Sequence, residues 1–319
     1  MDNNFTLSVI IPVYNCERFI EKAIVSVIAQ PEVTEIVVVN DGSTDSSQFI
    51  LDQLQVQNPI LKIYHHENKS NKGRSASRNL GIKNATGNYI AFLDADDYFL
   101  PNRFTNDIKF FQENKNCDGV YNAVGFHFYR TITTDEQSQL KLNTMTKGIE
   151  PEFLFDALIS GKYGFFHIDG LTIKKTVFDA TGLFIEALVV SEDSDLFWKM
   201  ALKTRLVGGL LEEPVAKRGI HDTNIFDRED LYKIYVIKMY ESLISWSSKN
   251  GIPLIKIDTL LKWIWLLKYK QNNNLLNNTI YWTKLFFTNP KLLFTYLSIK
   301  YFPIIRQRQI LFPFLYQKN

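Results

Sequence analysis

The sequence predicts an α/β protein built on an open, mostly parallel sheet flanked by helices, with a helical region at the C-terminus. Three observations carry this. Apolar, β-branched runs recur near Leu7, Glu35, Leu61 and Asn88, suited to strands buried on both faces. Segments of helical spacing separate them, and right-handed crossovers then leave the ligand site beyond the carboxyl ends of the strands. Past Asp230 the strand pattern stops, and helical patterns broken by Gly251, Pro253, Pro290 and Pro303 replace it.

The first strand is LSVIIPVY, Leu7 to Tyr14, ended by Asn15. Phe19, Ile20, Ala23, Ile24, Val27 and Ile28 then mark one helical stripe that Pro31 stops. EIVVVN from Glu35 runs into the polar turn DGSTD, where Thr44 or Ser43 can cap a helix through Leu54. LKIYHH from Leu61 reads as strand, Ser75 to Lys83 as helix, and NYIAFLDADD from Asn88 as a third long buried strand ending in carboxylates. Asn15, Asp41, Asp94 and Asp96 are therefore expected on one edge. A helix from Pro101 to about Asn114 precedes a strand, GVYNAVGFHFY; Thr131 to Gly148 reads as a polar surface excursion. A short strand is expected from His167 to Thr172, and SEDSDLFWKMAL begins a helix with acids in its first turn. Helices are expected near Leu231 to Ser247, Ile255 to Tyr269, Leu276 to Phe287 and Leu292 to Tyr301. Each apolar run there is interrupted well short of the ~20 residues of a membrane span.

The 319 residues are 45% apolar and 22% charged, which excludes collagen-like, disulfide-scaffold and wholly disordered classes. Cys16 and Cys117, the two cysteines, are too few for a disulfide framework or a Cys-rich zinc site and fit a reducing compartment. MDNNFTLSV lacks a basic n-region followed by an apolar stretch, so the expected location is the cytoplasm. The net charge of +2 hides an asymmetry: residues 1–230 hold 23 Lys and Arg against 32 Asp and Glu, residues 231–319 hold 13 against 2. The expected division is a catalytic domain over residues 1–229 and a basic, aromatic helical region over residues 230–319.

DADD, Asp94 to Asp97, is the strongest chemical signal. Carboxylates clustered at a strand exit repel one another, and a divalent cation relieves that; oxygen ligands suit Mg²⁺ or Mn²⁺ holding a diphosphate. An isolated DxD is more often an acidic loop or helix cap. Here PVYN ends the first strand, where Tyr14 can stack on a base, and NDGSTD ends the next, where Asp41 can accept from a base N–H. NKGRSASRN follows, with Gly73 in the turn and Lys72, Arg74 and Arg78 available to phosphate or base.

In this order, VIIPVYN, VVNDGSTD, GRSASRNLGIKNATGNYIAFLDADD and SEDSDLFWK resemble the family 2 glycosyltransferases, inverting enzymes of the nucleotide-sugar-binding A-type, Rossmann-like fold. The resemblance runs from about Leu7 to His221. It implies that Pro12, Tyr14, Asn15 and Asp41 receive a nucleoside, usually uridine. It implies that Asp94 and Asp96, on either side of Ala95, hold ribose and metal-diphosphate. Asn40 stands where many members have Asp, while Asp41 is kept. Glu192-Asp193 matches the late ED motif, whose Asp is the usual general base for the acceptor hydroxyl; Glu192 and Asp195 are rivals to Asp193. His221, in KRGIHDTN, resembles a late His placed on metal or diphosphate, giving Asp96 and His221 as ligands for Mn²⁺ or Mg²⁺, with Lys217 or Arg218 assisting the diphosphate.

The expected function is thus metal-dependent, inverting transfer of a sugar from a UDP-sugar to a glycan or lipid-linked glycan acceptor in bacterial lipooligosaccharide, capsule or other surface polysaccharide synthesis. A nucleotidyltransferase would want a Gly-rich, basic phosphate loop after the first strand, where PVYN stands instead. A non-catalytic nucleotide-sugar or glycan-binding module would bind donor without turnover. No nucleic-acid module signature accompanies the basic tail. KLLFTYLSIKYFPIIRQR, Lys291 to Arg308, reads as an interfacial segment for the anionic inner face of the cytoplasmic membrane, or as part of a helical domain packed on the catalytic one with its aromatic residues in the core.

Overall fold

The computed structural model describes residues 5–222, 224, 229–271 and 274–316. The chain divides into two compact units, Met1–Arg228 and Glu229–Asn319. In the first, the elements are β1 (Leu7–Val13), α1 (Ile20–Ile28), β2 (Val33–Asn40), α2 (Ser47–Gln57), β3 (Leu61–His65), α3 (Arg74–Asn84), β4 (Tyr89–Phe92), β5 (Tyr98–Phe99), α4 (Thr105–Glu113), β6 (Gly119–Tyr121), β7 (Ala123–Phe128), α5 (Thr134–Gln139), α6 (Pro151–Ser160), β8 (Leu171–Lys174), α7 (Val177–Thr181), α8 (Glu192–Lys203), β9 (Leu206–Gly208) and β10 (Pro214–Ile220).

The described strands form a seven-stranded sheet in the order β3-β2-β1-β4-β8-β6-β9 and a small sheet in the order β5-β10-β7. In the large sheet only β8 runs against its neighbours. β1 is buried almost throughout, as its uniformly apolar sequence requires, and packs with α1, β2 and β4 in the main core. Register explains why the polar strand ends meet. Val13 lies opposite Asn40 and Ile10 opposite Phe92, so Tyr14-Asn15, Asp41-Gly42 and Asp94 leave the sheet at nearly the same level.

Four local expectations are revised. The N-cap of α2 is neither Thr44 nor Ser43 but Ser46, whose side chain makes no capping bond; Asp45 Oδ1, one residue earlier, accepts from Ser47 N–H at 3.0 Å. GVYNAVGFHFY is two strands, not one. Buried Asn122 donates to Asp107 and to Gly170 O and accepts from Leu210 N–H, so the chain steps there from the large sheet to the small one. The segment after Thr131 is not all excursion: a Thr133–Glu136 capping box starts α5, and Met145 is fully buried. The strand expected from His167 begins at Leu171, after a 3₁₀ turn over Ile168–Gly170.

The second unit contains α9 (Glu229–Lys249), α10 (Leu254–Gln271), α11 (Leu275–Thr288) and α12 (Tyr296–Tyr301). Its core is aromatic: Trp265 and Trp282 are fully buried with centroids 4.9 Å apart, and Phe286 meets Trp282 edge-on. The helix expected from Leu292 starts only at Tyr296, because Asp258 of α10 accepts from Leu297 and Ser298 N–H, both at 2.9 Å, and supplies its N-terminal anion. Among the described residues no helix is long and apolar enough to cross a membrane.

Candidate active site

At the edge where β1, β2 and β4 end lies a cavity of about 330 Å³. Pro12, Tyr14, Asn15, Asp41, Asp94, Ala95, Asp96 and His221 line it, together with Arg74, Asp97 and Arg218. Most of the residues singled out from the sequence therefore share one wall. Asn15 turns the chain with φ of 50°, its Oδ1 accepting from Thr44 N–H at 2.8 Å. Tyr14 is half-exposed, its ring free of the core. Asp41 is buried and accepts from Lys72 N–H at 2.6 Å and Gly73 N–H at 2.8 Å, so Lys72 and Gly73 reach the site through their backbone. Gly42, at φ of 74°, lets that loop close: a Cβ would lie 2.6 Å from Lys69 O.

Arg78, expected on phosphate or base, is not among the residues that line the cavity. It is buried, with one nitrogen 2.6 Å from Asp94 Oδ1 and another 2.9 Å from Glu192 Oε1. Glu192 is buried too and also takes Arg74, whose Nε lies 2.5 Å from Oε1. Burial opposes the charge of Arg78, but Asp94 and Glu192 outweigh it and hold its pKa above the ordinary value. The pair of arginines thus fastens the start of α8 to the end of β4. Glu192 accepts from both arginines, and Arg74 also lines the cavity.

Asp193 follows in the first turn of α8, its Oδ1 accepting from Ser194 N–H at 2.7 Å. It is not among the cavity-lining residues, though its neighbour Glu192 is bonded to Arg74, which is. Burial raises its pKa, and Arg74, Arg78 and His167 more than offset this, so the carboxyl sits below its ordinary value and is ionised at neutral pH. The rival Asp195 is fully buried and bonded to Lys199 one turn on. That removes it from contact with any acceptor.

Asp96 Oδ2 lies 2.8 Å from His221 Nε2. Two ligands at right angles on an ion with bonds of ~2.1 Å stand ~3 Å apart, so this carboxylate–imidazole pair has the spacing of adjacent ligands and the donor chemistry of an Mn²⁺ or Mg²⁺ site. β10 delivers His221. The strand runs against the DADD turn so closely that a Cβ on Gly219 would lie 2.3 Å from Asp96 O, while Asp97 Oδ1 accepts from Gly219 N–H at 2.7 Å. Phe19 stacks on the imidazole at 4.8 Å and fixes its plane.

Sequence reasoning passed over His167, Asp169 and Asp97 as working groups. Ligand atoms of Asp94, Asp97 and His167 lie within 4.8 Å of one another, but existing bonds engage all three: Arg78 on Asp94, Gly219 N–H on Asp97, and Asp169 3.1 Å from His167. No linear signal joins His167 to DADD; only the antiparallel entry of β8 does. Cys16 lines the cavity, and burial, helped by Asp96, pushes its thiol up to about 12, so it stays protonated and is no nucleophile.

An uncharacterized glycosyltransferase of Rickettsia conorii is 30% identical over 279 residues, 85% of this chain and 42% of that protein. The minor teichoic acid biosynthesis protein GgaB of Bacillus subtilis is 40% identical over 116 residues, 35% of this chain and 13% of that protein. The chain therefore spans less than half the length of these relatives. In fold it is similar to S. aureus TarS 1-349 in complex with UDP-GlcNAc, at TM-score 0.63 and 18% identity over 93% of this chain and 82% of that one. It is similar also to the mannosyltransferase PcManGT of Pyrobaculum calidifontis in complex with GDP-Man and Mn²⁺, at TM-score 0.53 and 15% identity over 98% and 88%. The sequence model described as "Glycosyl transferase family 2" matches residues 8–182, the stretch that builds β1 to α7 and the DADD edge, and with that match the chain belongs to glycosyl transferase family 2.

Proposed function

We propose that this chain transfers a sugar, with inversion, from a UDP-sugar to a hydroxyl of a glycan acceptor. The observation that carries the reading is the convergence on one cavity of Tyr14, Asn15 and Asp41 with the Asp96–His221 pair and two arginines, Arg74 and Arg218. Tyr14 offers a face for the base and Asp41 an acceptor edge. Asp94, steadied by Arg78, faces the ribose. Asp96 and His221 would hold Mn²⁺ or Mg²⁺, which when bound neutralises diphosphate charge as the leaving group departs. Arg74 and Arg218 add fixed positive charge toward the same oxygens.

Asp193 takes the acceptor hydroxyl proton as that oxygen bonds to the anomeric carbon and the bond from that carbon to the diphosphate oxygen breaks. One displacement inverts the centre and requires no enzyme nucleophile. The complexes of neighbouring folds, one with UDP-GlcNAc and one with GDP-Man and Mn²⁺, support a nucleotide-sugar donor and a divalent ion. The GgaB relationship favours a bacterial surface polymer as acceptor, a teichoic-type chain standing beside the capsule and lipooligosaccharide classes.

A donor screen tests this: release of free nucleoside diphosphate across UDP-, GDP- and CMP-linked sugars, with and without Mn²⁺. UDP release from at least one UDP-sugar, stimulated by Mn²⁺, is expected. Calorimetry on Asp96→Ala should show UDP binding that no longer responds to Mn²⁺. Donor binding without turnover against a broad acceptor panel would overturn the reading in favour of a binding module.

A further inference from the structure

The second unit carries an apolar face in addition to the one that builds its core. On α11 the buried residues Asn278, Trp282, Leu285 and Phe286 form the inner side. Leu276, Ile280, Thr283, Lys284 and Phe287 are exposed and fall at i, i+4, i+7, i+8 and i+11, a single outer stripe in which Phe287 is 81% exposed. The chain that follows continues in the same character: Lys291, Leu293, Phe294, Tyr296, Ile299 and Lys300 are all exposed.

Charge separates this face from an ordinary docking patch. The unit, residues 229–319, holds 13 Lys and Arg against four acids, Glu229 and Asp230 at the start of α9, Glu241 and Asp258. The last two are engaged inside the unit. Glu241 accepts from Tyr281 Oη, and Asp258 is buried, accepting from Thr295 and Ser298 hydroxyls and from Leu297 and Ser298 N–H.

We propose that this face lies on an anionic lipid surface, with Leu276, Ile280, Phe287 and Phe294 in the headgroup–acyl boundary and Lys284, Lys291 and Lys300 on lipid phosphates. Aliphatic side chains gain by entering hydrocarbon, whereas a nucleic acid would reward flat rings and cations and leave Leu276 and Ile280 in water. Lysine stems lie along the apolar layer while their ammonium groups stay at the phosphates. The inference stands on the second unit alone and is independent of the transferase reading.

The test is co-sedimentation of the full chain with phosphatidylcholine vesicles, with and without phosphatidylglycerol, at low and high salt. Binding at least about ten-fold stronger to the anionic vesicles, and weakened by salt, is expected. Ile280→Ser with Phe287→Ser should weaken it by about ten-fold or more, and Lys284→Gln with Lys300→Gln by about five-fold per lysine. These side chains are exposed, so both variants should keep the parent's circular dichroism and melting temperature. Equal binding by parent and variants overturns the proposal. So does light scattering that shows a dimer dissolved by the Ile280 and Phe287 changes, which would assign the face to a second copy.

Discussion

Replacing Arg78 by Met should expose how much the joint between β4 and α8 contributes. Met retains much of the apolar stem and deletes the guanidinium, so two charge-assisted bonds go: 2.6 Å to Asp94 and 2.9 Å to Glu192. Removing one partner from a buried ion pair costs about 3–5 kcal/mol, because the other charge is left without compensation. Glu192 keeps Arg74, and the Asp94 side chain is 25% exposed, so water screens part of its loss. The low end, about 3 kcal/mol, is therefore expected. At ~2–4 °C per kcal/mol for a unit of this size, the melting temperature should fall by ~6–12 °C. Calorimetric melting is the assay, run beside Arg78→Met combined with Glu192→Gln. Neutralising the glutamate removes a buried carboxylate that has already lost one of its two arginines, so the double variant should lose less than the sum of the singles by about 1 kcal/mol or more. A single variant melting within about two degrees of the parent, or strict additivity in the double, would refute the claim that this joint is an energetic unit.

Three further outcomes follow from the same geometry. Gly219→Ala places a methyl against Asp96 O, which cannot yield as a side-chain tip would; β10 and His221 should shift, and Mn²⁺-stimulated UDP binding measured by calorimetry should drop at least about ten-fold while the fold is retained. Glu35 is buried, but bonds from Lys62, Ser8 and Thr86 hold its carboxyl below the ordinary 4.5; a depressed pKa contributes stability above that value and loses it as pH falls through the folded value, so Glu35→Gln should destabilise at pH 7 in urea melts and converge with the parent in acid. Asp193→Asn keeps an Oδ1 for Ser194 N–H, so UDP affinity should stay within about two-fold while kcat falls ~10²–10⁴-fold; because its pKa lies below 3.8, protonation of this group should not limit the parent's rate anywhere near neutrality.

The donor edge was legible in the sequence because parallel strands buried on both faces leave their polar residues only at the ends. Once LSVIIPVY, EIVVVN and NYIAFL are strands, Asn15, Asp41 and Asp94 must meet. What escaped were contacts created by reversal and by long-range pairing. Arg78 looks like a phosphate ligand in NKGRSASRN, yet the carboxylates that bury it come from Asp94 and from Glu192, 114 residues on. His167 becomes a neighbour of DADD only because β8 enters antiparallel beside β4. The split at Asn122 was hidden for a related reason. A buried amide that satisfies three distant groups has no period to betray it.

The division of charge at this edge says why Asp96 is the carboxylate suited to a cation. Asp94 is matched by Arg78. Burial, reinforced by Asp169, pushes Asp97 well above the usual carboxylate range, while Asp169 is held below it against its own burial by His167. Asp41 spends an oxygen on each of two backbone N–H groups. Among these acids Asp96 is the one whose contacts, His221 at 2.8 Å and Asn224 at 3.4 Å, are themselves groups that a divalent ion could adopt as ligands or second-layer partners without breaking the joint to α8. If Asp96 and His221 exchanged this one hydrogen bond for a metal, as the proposed function requires, Arg78 and the buried acids would stay fixed. Under the proposed function, occupancy would change at the rim and leave the Arg78–Glu192 joint at the start of α8 in place.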